Sequence, residues 1–238
     1  MTILARLSRL EARLEPRAWP WAERERDAIA DHWARRRAER PAMFDGTVLL
    51  AGDFSMADGV GRLALFEARF SQLLAFRDLD PPDAGAFNVF AAAAPRGRDG
   101  AYLLGLMAGH TANAGQLYFP CGTPDRSDVR PDGKVDLAGS ALRELAEETG
   151  LAEARGSDAG PWIALRDGGL LGFLRAVELD LDAEAARARA LAHLAAEAEP
   201  ELADVVVVRS PADFDPRMPR YVRDFLTDAF APPPLPHG

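Results

Sequence analysis

Apolar residues recur along the chain in two spacings, and each spacing predicts a different kind of element. Leucines at helical spacing predict a short helix over residues 3–14, and a second stripe predicts a helix over 21–39. Alternating or short apolar runs predict strands. These fall at 47–51, the first half of 59–76, 88–94, 102–107, 116–120, 162–165, 170–179 and 205–208.

Further helices are predicted at the end of 59–76, before Gly150, at 182–198 and at 221–230. In the helix at 182–198 the expected buried stripe consists of Ala185, Ala188, Leu191, Ala192 and Ala195. Strands mixed with helices of this length predict the α/β class, with a mixed sheet between helical layers.

Prolines and glycines that interrupt regular structure suggest where the chain divides into domains. The Pro- and Gly-containing segment 81–85 is the best boundary. We therefore predict an N-terminal extension at 1–85, a core domain at 86–230 and a non-helical, proline-rich tail at 231–238. No apolar run approaches 18 residues, and the first residues do not resemble a signal peptide, so we expect neither a membrane span nor secretion.

The composition limits the classes of molecule that the protein is expected to bind. The 238 residues carry a formal net charge of −9, which argues against nucleic acid as the main partner. Small phosphorylated ligands stay open, because a bound metal can supply positive charge locally. The single cysteine, Cys121, excludes an intramolecular disulfide and fits a reducing cytoplasm. It is also a candidate reactive thiol, although a small packed residue is the more ordinary interpretation.

The segment 143–151 carries the candidate chemistry. On a helix, Glu144, Glu147 and Glu148 share one face, while Leu142, Leu145, Ala146 and Thr149 are expected on the other. Like charges at this spacing repel, and the negative end of the helix dipole disfavours anions just before the stop at Gly150. Carboxylates placed against local electrostatics indicate a hard cation such as Mg²⁺.

Arg143-Glu144-Leu145-Ala146-Glu147-Glu148-Thr149-Gly150-Leu151 resembles the second half of the Nudix box, G-x5-E-x7-R-E-U-x-E-E-x-G-U, where U is apolar. The resemblance implies an α/β/α sandwich that hydrolyses a diphosphate joining a nucleoside to another group. It implies Glu144, Glu147 and Glu148 as ligands of Mg²⁺ or Mn²⁺, and Arg143 as the residue that orients a carboxylate.

The first half of the box departs from the pattern. Its acidic position falls on Val135 and its glycine on Val129, and Gly122 to Arg143 spans 21 positions, seven more than in the pattern. An insertion at 123–133 accounts for the difference. Asp136 is then either the N-cap of the helix or an outer acid of the site.

A catalytic base outside the box is expected among Glu197, Glu199 and Glu201, each of which can also be an ordinary solvated side chain. His32, His110, His193 and Asp167 are better explained as structural or turn residues. The run from Trp33 to Gly46, with Pro41-x-Met43-Phe44-Asp45-Gly46 before a strand, resembles members of the family that act on nucleotide sugars. A Nudix-like protein that binds without turnover, or a hydrolase of CoA-type diphosphates, stays open, as does a homodimer.

Overall fold

The structure is a computed structural model that describes residues 2–41, 43–81, 84–111, 113–153 and 160–231. Within these ranges the chain forms eleven strands and six helices. The predicted tail, apart from its first residue, lies outside the described residues. The strands are β1 (Thr2–Leu7), β2 (Arg9–Leu14), β3 (Thr47–Ala57), β4 (Val60–Arg69), β5 (Asn88–Arg96), β6 (Tyr102–Met107), β7 (Leu117–Tyr118), β8 (Cys121–Gly122), β9 (Trp162–Asp167), β10 (Leu170–Glu178) and β11 (Leu202–Val208). The helices are α1 (Pro20–Arg24), α2 (Arg26–Glu39), α3 (Phe70–Leu79), α4 (Leu137–Thr149), α5 (Ala183–Leu194) and α6 (Arg220–Phe230).

The main sheet is mixed and eight-stranded. Its order is β1-β9-β10-β5-β6-β11, with β7 beside β6 and β8 beside β5. Strands β5 and β10 are parallel, and the other pairs are antiparallel. The predicted hairpin of β5 and β6 pairs only at Arg96 and Tyr102, and the strands then separate to admit β7 and β8.

The strand predicted at 116–120 is shorter than expected, since β7 covers only Leu117–Tyr118; just beyond the predicted end, β8 forms and pairs with a different neighbour. The break between β7 and β8 falls at Phe119 and Pro120, and proline has no N–H to donate to a ladder. This break brings Cys121 and Gly122 beside the middle of β5, at the point where α4 crosses the sheet.

The helix predicted at 3–14 is wrong, because the segment forms two strands that bend apart at Ser8. Strand β1 pairs with β9 in the main sheet, and β2 pairs in parallel with β4. The leucine spacing is compatible with a helix locally. Pairing with strands more than 50 and 150 residues away satisfies the backbone instead, and buries Leu7 to 1% exposure.

The N-terminal part has a sheet and an apolar cluster of its own. Its sheet has the order β2-β4-β3, and its cluster is centred on Trp19, Trp21, Phe66 and Phe76. Other residues of this part, including Leu7 and Leu65, belong to the main core. The division at residue 85 stays a prediction, and the two parts share packing across it.

Helices flank both faces of the main sheet. A Cβ built on Gly122 would meet the carboxylate of Glu144 on α4, whereas the side chain of Cys121 lies beside Tyr221 of α6, with which it lines one cavity. Successive strand residues point to opposite faces, so α4 and α6 lie on opposite sides. The predicted mixed sheet between helical layers is confirmed. No helix among the described residues is long and apolar enough to cross a membrane.

The buried stripe predicted for α5 is wrong in register. Its buried residues are Ala183, Ala186, Ala190 and Leu194, whereas Ala185, Ala188, Ala192 and Ala195 are exposed and Leu191 is half-buried. Alanine occurs on nearly every face of this helix, so its pattern does not distinguish one stripe from another.

Candidate active site

Both ends of α4 are capped by side chains and backbone that the sequence supplies locally. The carboxylate of Asp136 accepts the N–H of Gly139 at 3.0 Å, so the predicted N-cap is confirmed. Burial alone would raise the pKa of Asp136, but the Gly139 N–H and Arg130 outweigh it and lower that pKa. Gly150 ends the helix with φ 64°, the left-handed conformation that glycine tolerates best.

The inner face of α4 includes one of its glutamates. The buried residues are Leu137, Ser140, Ala141, Leu145, Glu148 and Thr149. The expectation that Ala146 faces the core is wrong, since it is exposed, and Leu142 is half-buried. Glu148 is only 7% exposed, so the three carboxylates are not equally solvated on one front face.

Arg143 joins the carboxylates of α4 to each other. Its Nη1 donates to Glu144 Oε1 at 2.9 Å and to Glu147 Oε2 at 3.0 Å. Its Nη2 lies 3.3 Å from Asp128 Oδ1 and 3.4 Å from Ser140 Oγ. The guanidinium therefore fixes two of the three predicted metal ligands, and its other nitrogen is held by Asp128 and Ser140.

Asp128 was missed by sequence reasoning, which treated 123–133 as a variable insertion. The residue ends a 3₁₀ turn over Arg126–Asp128, and only 4% of its side chain is exposed. Its Oδ2 accepts from the Asp125 N–H at 3.0 Å and from Ser140 Oγ at 3.1 Å. The Asp125-x-x-Asp128 spacing, a capping-box pattern, is the signal that could have identified this turn.

A cavity of about 440 Å³ collects the acidic residues that the sequence singled out. It is lined by Glu144, Glu147 and Glu148 from α4, and by Glu197, Glu199 and Glu201 from the segment between α5 and β11. Ala198 is the other lining residue. The chain thus brings all three candidate bases beside all three candidate ligands.

The cavity holds its carboxylates at unfavourable electrostatic positions. Burial, followed by the charges of Glu201 and Glu144, raises the pKa of Glu148 to about 8, against the N–H of Cys121 that it accepts. Burial also raises the pKa of Glu144, although Arg143 opposes this. The charge of Glu201 acts on both groups, although the residue itself is exposed.

The donor set fits a divalent cation in chemistry. Carboxylate oxygens are the ligands of hard cations such as Mg²⁺, and the buried Glu148 has a raised pKa that a nearby cation would lower. Among the described residues no three acidic, His or Cys side chains already stand close enough to coordinate one ion. Glu144 and Glu147 instead both pair with Nη1 of Arg143.

Gly122 lets the sheet approach α4 closely. A Cβ at this position would lie 2.6 Å from Glu144 Oε1. At the other end of the helix, His193 Nε2 lies 2.8 Å from the carbonyl oxygen of Glu147 and 3.2 Å from Glu197 Oε1. His193 therefore ties α5 to the last turn of α4.

The remaining candidates lie elsewhere. Burial raises the pKa of the Cys121 thiol well above its usual value, so the thiol stays protonated and the reactive-thiol interpretation is disfavoured. His32 is buried and 2.9 Å from Asp78 in the N-terminal part. His110 is exposed in the turn after β6. Asp167 lines a second cavity, on the α6 side of the sheet.

No protein-family model and no curated protein sequence matches the chain. Among solved structures it is similar to a MutT protein from Methanosarcina mazei Go1 (20% identity, 60% of this chain and 92% of the other, TM-score 0.40). It is also similar to a Nudix hydrolase family member from Chromobacterium violaceum (18% identity, 62% of this chain and 77% of the other, TM-score 0.39). A third similar structure is a C. elegans Ap4A hydrolase (12% identity, 59% of this chain and 89% of the other, TM-score 0.35). Similarity at this level does not identify an activity.

Proposed function

We propose that the protein is a divalent-metal-dependent pyrophosphohydrolase of the Nudix type. The observation that carries the proposal is the cavity in which the Arg143–Glu148 motif faces Glu197, Glu199 and Glu201. Glutamates at such density, buried in part and opposed to the helix dipole, are disfavoured without a cation. The substrate class is a nucleoside diphosphate linked to a second group.

In this proposal Glu144, Glu147 and Glu148 hold Mg²⁺ or Mn²⁺. When held by these residues, such a cation would supply neutralisation of the diphosphate charge and acidification of a water molecule. Arg143 keeps Glu144 and Glu147 in position, and Asp128 keeps Arg143 in position. Glu197, Glu199 and Glu201 are the candidate bases for the attacking water, and we favour Glu201 because its charge acts on both Glu148 and Glu144.

Water attack on one phosphorus breaks the phosphoanhydride bond and yields two phosphorylated products. The run Pro41–Gly46 supports a nucleotide sugar as the substrate within this class. Action in a reducing cytoplasm and assembly as a homodimer remain predictions from the sequence and from the proposed family.

The test is a screen of nucleotide sugars, ADP-ribose, dinucleoside polyphosphates and CoA, with Mg²⁺, with Mn²⁺ and with EDTA. We expect metal-dependent turnover of at least one compound, lost in Glu147→Gln and Glu148→Gln. The exposed α2 glutamate variant Glu39→Gln is the matched control and should keep full activity. Binding without turnover would favour a binding protein, and activity that survives both substitutions would refute the site.

A further inference from the structure

A second cavity, of about 390 Å³, lies against the opposite side of β8 from the acidic cavity. Its volume falls in the range of small-molecule sites, about 300–1,000 Å³. We call it the ring cavity, defined by Arg77, Asn88, Phe90, Tyr118, Arg220 and Tyr221 among its lining residues. None of these residues was singled out as a site by the sequence.

The interior of the ring cavity is aromatic. Phe90 and Tyr118 are each 7% exposed, and the rings of Phe90 and Tyr221 lie 5.2 Å apart at 59°. Tyr118 is fixed by a 3.0 Å hydrogen bond from Asn113 Nδ2 to its hydroxyl oxygen. Flat, immobilised rings of this kind offer a surface on which a planar group can stack.

Polar groups stand beside the rings. The side-chain oxygen of Asn88 is buried and has no hydrogen-bond partner among the described residues. A buried acceptor without a donor costs free energy. A ligand N–H or O–H reaching Asn88 would relieve that cost.

The entrance is cationic. Arg77 on α3 and Arg220 on α6 line the cavity and are exposed, against one acidic lining residue, Asp167. Arg220 also lies 3.7 Å from Asp224 on its own helix. Guanidinium groups are well suited to phosphate because their N–H groups match its oxygens. Arg77 belongs to the N-terminal part, which therefore forms one wall of the cavity.

The ring cavity adjoins the acidic cavity through β8. Cys121 and Gly122 line the ring cavity, while a Cβ at Gly122 would contact the carboxylate of Glu144 and the Cys121 N–H acts on the pKa of Glu148. Strand β8 is thus the element that adjoins both the ring cavity and the carboxylates of α4.

We infer that the ring cavity binds the nucleotide half of the substrate, with its planar base against Phe90 and Tyr221 and its nearest phosphate on Arg77 and Arg220. This inference rests on the proposed function and adds the residues that select the substrate. The N-terminal part is then a component of the binding site.

The test uses calorimetric titration in EDTA, so that no metal contributes. The probes are the four common nucleoside monophosphates, the four nucleosides, and ribose 5-phosphate. We expect at least one monophosphate to bind at least tenfold more tightly than its nucleoside and than ribose 5-phosphate, because only it offers both ring and phosphate. Arg77→Ala and Arg220→Ala should each weaken that monophosphate about tenfold and leave the nucleoside unchanged.

Phe90→Leu should weaken the monophosphate and leave ribose 5-phosphate unchanged. Arg223→Ala, an exposed arginine of α6 that does not line the cavity, is the matched control and should bind as wild type. Thermal melting of each variant establishes that it is folded. No monophosphate binding, binding no tighter than the nucleoside, or wild-type affinity in both arginine variants would overturn the inference.

Hydrolysis and binding can fail separately. Monophosphate binding without turnover of any diphosphate would refute the proposed hydrolysis and keep the ring cavity as a site. Turnover with wild-type KM in Arg77→Ala and Arg220→Ala would keep the hydrolysis and refute the ring cavity.

Discussion

Arg143 Nη2 lies 3.3 Å from Oδ1 of Asp128, and only 4% of the Asp128 side chain is exposed. Asp128 belongs to the loop at 123–133, which was predicted to be an insertion. Through this contact a buried acid fixes the arginine that in turn fixes Glu144 and Glu147. Asp128 is therefore a positioning residue for the proposed metal ligands, and it acts through Arg143.

Replacement of Asp128 tests this relationship. Asp128→Asn leaves an amide N–H₂ near donors, so we expect unfolding free energy to fall by about 1–3 kcal/mol. We expect kcat to fall roughly 10–100-fold, the usual effect of losing a group that orients metal ligands. Urea unfolding measures the change in stability, and steady-state kinetics at several Mn²⁺ concentrations measure the change in kcat. Asp132→Asn, in the same loop but exposed and paired with Lys134, should change neither; equal effects of the two variants would refute the role.

The buried Glu148 predicts an unusual dependence of stability on pH in the metal-free protein. Its pKa is raised to about 8 from 4.5, so the folded state holds its proton longer than the unfolded state. Its contribution to stability is complete below pH 4.5 and is lost as pH rises through 8. Glu148→Gln stays neutral at every pH.

In EDTA, Glu148→Gln should therefore match wild type near pH 4 and exceed it by an amount on the order of a few kcal/mol above pH 8. Urea unfolding at a series of pH values measures the difference. The same variant should be inactive at every pH. A variant less stable than wild type at pH 8 would contradict the electrostatic account of this residue.

Gly122 predicts a separation of activity from stability. In Gly122→Ala the new methyl would lie 2.6 Å from Glu144 Oε1, and the flexible end of Glu144 can move aside. We expect a kcat loss of roughly 10–100-fold with less than about 1 kcal/mol lost in unfolding free energy. Gly109→Ala, where a Cβ meets nothing within 4 Å, is the control. Unchanged kcat in Gly122→Ala would show that the close approach does not matter.

The two strands at the N-terminus can be distinguished from the predicted helix by a pair of leucines. Leu7 is 1% exposed, whereas Leu4 is half-buried. Leu7→Ala should cost about 2–5 kcal/mol in urea unfolding, and Leu4→Ala clearly less. A helix with both leucines on one stripe would give similar losses, so equal values would favour the helix.

The parts of the fold that the sequence predicted are those whose signals are local. The N-cap Asp136, the stop at Gly150 and the turn between β9 and β10 depend on backbone chemistry within a few residues. Strands β1 and β2 were not predicted, because the strands with which they pair are distant in sequence.

The same distinction applies to the candidate site. The motif at 143–151 identified the carboxylates of α4, and chain order suggested the glutamates after α5. Asp128 could not be paired with Arg143 from spacing, since the loop folds back through a 3₁₀ turn. The ring cavity draws on α3, β5 and α6, and no local pattern links such residues.

Binding of Mn²⁺ to the protein tests the central claim most directly. Calorimetric titration at pH 7.5 should show binding in wild type and in Glu39→Gln, and binding weakened at least about tenfold in Glu147→Gln and Glu148→Gln. Absence of Mn²⁺ binding in wild type, or affinity unchanged in both cavity variants, would contradict the claim that the carboxylates of α4 form a metal site.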